Sequence, residues 1–168
     1  MFESIGSVEN IPAFLQKVKE DKETLLYGFG HRIFKAYDPR ARTIKSMLLD
    51  FRTRVDAGPD HLLDIALALE EAALKDEYFQ KRHLFPNIDF YSGLLMKSIH
   101  IPENMFNVIF AITRSMGWIA HWREMMSDSV IKIYRPRQIY VGQPERKFVK
   151  IEDRPPAPGF NLKSYNHV

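Results

Sequence analysis

Turn-forming and helix-capping residues divide most of this chain into short stretches, and each stretch carries helical rather than strand periodicity. Asn10 is placed to cap a segment with Pro12 in its first turn, and Phe14, Leu15 and Val18 give that segment an apolar face. Asp38-Pro39 reads as an N-cap followed by proline at N1, and the run behind it continues through Ile44, Met47, Leu48 and Phe51 to Val55. Gly58-Pro59 ends that run. A long helix is expected from about His61 to Phe79, carrying Leu62, Ile65, Leu69, Ala72 and Ala73. Pro86-Asn87 opens a fourth helix, from about Ile88 to Ile99. Pro102 opens a fifth, from Glu103 to about Ser115, and Gly117 predicts a break before a last helix from Trp118 to Met126. From about residue 129 the pattern changes. Arg135-Pro136-Arg137 and the prolines between Pro155 and Pro158 read as an extended arm, so the fold class is all-α with an extended C-terminal tail.

Composition removes several classes of function. Hydrophobic residues make up 45% and charged residues 27% of the 168 residues, a balance that suits a folded domain with a real core. The absence of cysteine excludes disulfides, zinc-thiolate sites and a thiol nucleophile. The pI near 9.1 comes from scattered arginines and lysines without a basic, aromatic stripe, which argues against nucleic acid and for small anionic ligands. No apolar stretch reaches membrane-spanning length, and the start of the chain does not read as a targeting peptide. The histidines at 61, 83, 100, 121 and 167 have no mutual i, i+3 or i, i+4 spacing, so no local metal site is expected.

A small set of residues remains for chemistry. Asp89 falls in the first turn of the helix behind Asn87, where unpaired N–H groups and the helix dipole stabilise a carboxylate. Phe85, Phe90 and Tyr91 flank it and are expected to shield it, which would make it a candidate general base. Gly28-Phe29-Gly30-His31 places a histidine after glycines that permit close approach of a ligand. A tight turn with an incidental histidine is the alternative. Arg40 follows a helix cap, a position that suits a carboxylate or phosphate and equally a solvated surface arginine. Arg114 interrupts a very apolar helix, and a buried arginine needs either an internal ion pair or an anionic ligand. The Gly-x-Gly pair is not a dinucleotide fingerprint, because no strand precedes it and no third glycine follows.

Taken together, Gly28-Phe29-Gly30-His31-Arg32, Tyr37-Asp38-Pro39-Arg40, Pro86-Asn87-Ile88-Asp89-Phe90-Tyr91-Ser92-Gly93, Gly117-Trp118-Ile119-Ala120-His121-Trp122 and Arg135-Pro136-Arg137-Gln138 resemble the C-terminal part of citrate synthase. The resemblance runs from about Ile5 to Gly142 and is closer to the bacterial type and its eukaryotic relatives, which include 2-methylcitrate and alkylcitrate synthases.

That resemblance implies a small, CoA-binding and catalytic domain over residues 1–113. Residues 114–168 would then belong with the large domain. It implies condensation of acetyl-CoA with oxaloacetate to citrate and CoA, with Asp89 as the base at the acetyl methyl and His31 polarising the oxaloacetate carbonyl. Arg40, Arg114 and Arg135 would hold carboxylates, Arg135 from the neighbouring subunit of a homodimer. Leu25, Leu26, Tyr27, Gly28, Phe29 and Gly30 would cradle the CoA adenine, and Lys35 and Lys81 would meet CoA phosphates. Acetyl-CoA is substrate and CoA product; no tightly bound cofactor is implied, nor any nucleic-acid or membrane partner. The resemblance also implies a longer protein whose large domain supplies the histidine that protonates the thioester enolate, so this chain alone is expected to be inactive. Trp118, Ile119, Trp122 and Met126 would then be left exposed. A 2-methylcitrate or alkylcitrate synthase fragment, or a non-catalytic small-domain module, are the other readings. Cytoplasm and mitochondrion are the compartments expected, and Asn166-His167-Val168 does not match the Ser-Lys-Leu peroxisomal type.

Overall fold

Aspartate and asparagine caps set the starts of the main helices. In the computed structural model, which describes residues 1–129, 139–142 and 144–154, the α-helices are α1 (Phe2–Ile5), α2 (Ile11–Glu20), α3 (Pro39–Arg54), α4 (His61–Lys75), α5 (Glu77–Lys81), α6 (Ile88–Ser98) and α7 (Phe106–Ser127). The Asp38 carboxylate accepts from Arg40 N at α3, Asp60 from Leu62 N and Leu63 N at α4, Asp76 from Tyr78 N at α5, and Asn87 from Asp89 N at α6. Each bond satisfies a backbone donor that the first helical turn leaves without a partner. Regular structure among the described residues is helical, apart from one isolated antiparallel bridge between Phe29 and Pro86.

Three boundaries differ from the sequence reading. Asn10 makes no side-chain cap; its amide donates instead to the Ile5 carbonyl at 2.8 Å, closing the turn between α1 and α2. The helix expected from His61 to Phe79 divides at Asp76, whose backbone is extended and whose side chain caps α5 while pairing with Lys19. The third is Gly117, which does not break α7. A glycine costs a helix about 1 kcal/mol but keeps its N–H, so the hydrogen-bond ladder runs through it. The Arg135-Pro136-Arg137 segment and the prolines from Pro155 onward lie outside the described residues.

The chain divides into two compact units, Met1–Ala111 and Ile112–Val168. In the first, α4 is the central element. Its buried residues Leu63, Ile65, Ala66, Leu69, Glu70 and Ala73 recur at helical spacing, and the helix packs on α1, α2, α5 and α6. The α3 helix lies along α6, with the fully buried Ala41 at its start and Leu48 further along. Ile5, Ile11, Leu15, Leu26, Phe79, Phe90, Tyr91 and Leu94 complete one continuous core. In the second unit Ile112, Met116, Trp118, Ile119, Trp122 and Met126 are all exposed, as the sequence reading expects for the last four.

Burial on α4 carries a test. Leu69 is 0% exposed and Met47 on α3 is 53% exposed. Leu69→Ala should lower unfolding free energy by about 2–5 kcal/mol, and Met47→Ala should stay within about 0.5 kcal/mol. Urea denaturation followed by circular dichroism checks this, and equal losses would contradict the assigned core.

Candidate active site

The site is assembled by a strap between residues 28–30 and 85–87. Gly30 N donates to the Phe85 carbonyl, and Asn87 N to the Gly28 carbonyl, each at 2.8 Å. Asn87 adds a third tie through its side chain: Oδ1 accepts from Asp89 N at 2.9 Å, and Nδ2 donates to the Gly30 carbonyl at 2.8 Å. One amide thus caps α6 and holds the loop, which an ionised aspartate cap could not do, because a carboxylate has no proton to give.

Gly28 and Gly30 both have left-handed backbone angles, φ 81° and 82°. A Cβ on Gly28 would stand 2.7 Å from the Phe90 Cα and one on Gly30 3.0 Å from a Leu84 methyl. The close approach that these glycines permit is to the chain's own residues, Phe90 on α6 and Leu84 before it.

Behind the strap, the Nδ1 of His31 accepts from Ile33 N at 3.1 Å and Phe34 N at 3.0 Å. Two N–H groups aimed at Nδ1 require a lone pair there, so in the neutral ring the proton sits on Nε2. His31 is thereby set as a hydrogen-bond donor, and its ring lies 4.6 Å from that of Phe34. The Nη2 of Arg40 lies 3.4 Å from Nε2, so with the proton on Nε2 the two groups are donors side by side.

Arg40 is aimed by Asp38. The Asp38 carboxylate is 1% exposed and grips the arginine through Nε at 3.1 Å and Nη2 at 2.8 Å. It also accepts from Arg40 N and from Ile88 N, so it lies at the starts of both α3 and α6. The Arg40 hydrogen bond, opposed by desolvation, holds its pKa below the ordinary carboxylate value. Arg40 is pushed up in turn, first by Asp38 and more weakly by the charge of Asp89, and half of its side chain (49%) remains exposed. Sequence reasoning saw Asp38 as a cap only. Residues i and i+2 do not face each other within a helix, but a cap lies outside the helix, so an arginine two residues behind a capping aspartate was the available signal.

Asp89 is exposed, which corrects the expected shielding. Phe90 and Tyr91 are buried, Phe90 edge-on against Phe2, Phe29 and Tyr91. Successive residues of a helix point about 100° apart, so the face that buries these rings turns Asp89 outward. The carboxylate lines an open pocket of about 200 Å³ with Phe2, Leu62, Leu94 and Phe106.

His31 and Arg40 thus stand side by side in the first unit, and Asp89 is near enough for its charge to act on Arg40. Arg114 falls in the second unit and is exposed, so it is not the buried arginine expected from sequence. Arg135 lies outside the described residues. Of the residues read as a CoA cradle, Leu25 and Tyr27 are exposed, whereas Leu26 belongs to the core, and Phe29 packs against it. Lys35 is exposed, and Lys81 pairs with Glu77 at 2.6 Å.

The tautomer of His31 is directly measurable. In ¹⁵N spectra of the neutral ring, Nδ1 should carry the unprotonated shift and Nε2 the protonated one. The reverse pattern, or rapid averaging, would contradict a fixed donor.

Comparison with known proteins shows the family. The family profile of the citrate synthase C-terminal domain matches residues 1–137. A peroxisomal citrate synthase of Dictyostelium discoideum is 49% identical over 162 residues, covering 96% of this chain and 32% of the relative, so the chain spans about a third of that protein's length. Its compartment is not one of the two expected from sequence. The crystal structure of citrate synthase from Pyrobaculum aerophilum superposes with a TM-score of 0.70 at 35% identity, over 91% of this chain and 37% of the other. The Thermoplasma acidophilum enzyme, solved as a ternary complex with carboxymethyl coenzyme A and oxaloacetate, gives 0.64 at 34% identity, over 91% and 40% of the two chains. The chain belongs to the citrate synthase family.

Proposed function

We propose that this chain supplies the base, the carbonyl-polarising histidine and part of the carboxylate-binding set of a citrate synthase. The reaction joins the acetyl methyl of acetyl-CoA to the carbonyl carbon of oxaloacetate and, with water, gives citrate and free CoA, an acyl transfer in which the acyl group becomes alkyl. The single observation that carries the reading is the fixed Nε2–H of His31 beside the outward guanidinium of Arg40. A donor and a cation side by side suit a keto acid, whose carbonyl accepts from the histidine while its carboxylate meets the arginine. Arg114 and Arg135 complete the carboxylate set in this reading. Asp89 takes the methyl proton. Leu25, Tyr27, Lys35 and Lys81 face the CoA, with Gly28 and Gly30 shaping the loop.

The exposure of Asp89 bears on activity. A water-exposed carboxylate is a weak base for a carbon acid, and it becomes competent when water is excluded and an acid stabilises the enolate. Of the first unit's other histidines, His61 meets the Gly6 carbonyl, and His83 and His100 are exposed in turns after α5 and α6. In this reading the acid comes from the large domain that the remaining two-thirds of the relatives' length would supply. In the same reading residues 1–113 form the small domain and 114–168 pack with the large one in a homodimer. The exposed apolar residues of α7 support that assignment.

The pure 168-residue chain should bind oxaloacetate weakly and release no thiol from acetyl-CoA. Mixing with the large domain of a related enzyme should restore release, and Asp89→Asn should abolish it. Calorimetry with oxaloacetate and a thiol assay check both points; turnover by the chain alone, lost in Asp89→Asn, would contradict the proposed division of the site.

A further inference from the structure

Glu70 is 3% exposed on the core face of α4, among Ala66, Leu69 and Ala73, and the chemistry above does not use it. A buried carboxylate is costly unless every oxygen finds a partner. Here Oε1 accepts from the Tyr37 hydroxyl, and Oε2 accepts from the Tyr91 hydroxyl at 2.5 Å and from Lys45 Nζ. Burial first, then Glu70, raises the pKa of both phenols above the ordinary tyrosine range, so each keeps its proton and remains a donor. Lys45 also lies 5.5 Å from the centre of the Tyr91 ring, and the guanidinium of Arg42 lies 4.9 Å from that of Tyr37, so the cluster is closed by cations on both sides.

The two tyrosines belong to the two segments that carry the site. Tyr37 immediately precedes Asp38, the residue that aims Arg40, and Tyr91 stands two residues after Asp89 on α6. A well-packed apolar side chain in place of Glu70 could stabilise the core as well, so the carboxylate's distinctive contribution is geometric: it ties both hydroxyls to one point. We propose that Glu70 is a positioning residue, its one buried carboxylate fixing the spacing between the Arg40 cap and the Asp89 helix through Tyr37 and Tyr91. This rests on the reading of Arg40 and Asp89 as site residues.

The test needs no substrate. In ¹⁵N-labelled chain, the Arg40 Nε–H and the Asp89 amide report on the two ends, and their shifts and hydrogen-exchange rates are compared at a temperature where thermal melts show every variant folded. Glu70→Gln should move both signals and speed exchange of the Arg40 Nε–H about tenfold, because a looser cap opens the Asp38–Arg40 bond that protects it more often. Tyr37→Phe should move Arg40 and spare Asp89, and Tyr91→Phe should do the reverse. A purely structural role would lower the melting temperature without that site-by-site pattern. Folded Glu70→Gln chain with both signals at their wild-type positions would overturn the proposal. If Glu70→Gln does not fold, unchanged signals in the two tyrosine variants would overturn it equally. Failure to bind oxaloacetate would count against the function proposed above and leave this result standing.

Discussion

The contact on which the rest depends is between Gly28 and the backbone of Phe90. Only a residue without Cβ allows the loop to settle there, and only from there do the Gly28 and Gly30 carbonyls reach Asn87. Asn87 in turn sets the first turn of α6, and with it the outward direction of Asp89. His31 follows the strap directly, its ring oriented by the next backbone turn. A packing constraint in the fold thus becomes a placement constraint on two of the proposed site residues, His31 and Asp89.

Electrostatics add a second layer. The helices α3 and α6 begin at the same point, and the one buried carboxylate there, Asp38, satisfies donors from both. A carboxylate that meets two helix N-termini and a guanidinium is well compensated, which agrees with its lowered pKa. The consequence is an arginine held side-on at its inner edge with its outer edge in solvent, preorganised for an anion rather than sweeping through many rotamers. Glu70 repeats the device in the core, where two phenols and a lysine replace the backbone donors.

The helical class and most helix starts were legible because caps act locally. Asp38-Pro39 and Pro86-Asn87 declare themselves within a few residues, and the structure places α3 and α6 behind them. Gly117 misled because a helix interrupted by glycine alone keeps its hydrogen bonds, and Asp76 was missed because an apolar pattern runs on through its cap. The family motif brought His31, Arg40 and Asp89 together on paper, but the means of bringing them together was not readable. Asn87 and Gly30 are 57 residues apart, and nothing local distinguishes an asparagine that caps from one that also reaches across. Glu70 was hidden for a similar reason: next to Glu71 it reads as one of a pair of surface acids, and only the fold turns one of them inward.

The strap is tested most directly by Gly28→Ala. The substitution forces a side chain into left-handed backbone and onto the Phe90 Cα, and should cost about 2 kcal/mol or more. Amide hydrogen exchange gives the sharper measurement. In the wild-type chain the Gly30 and Asn87 amides should be protected, and in Gly28→Ala both should exchange about tenfold faster or more while the α4 core amides stay slow. A Gly28→Ala chain with wild-type stability and both amides still protected would show that this close approach does not build the site.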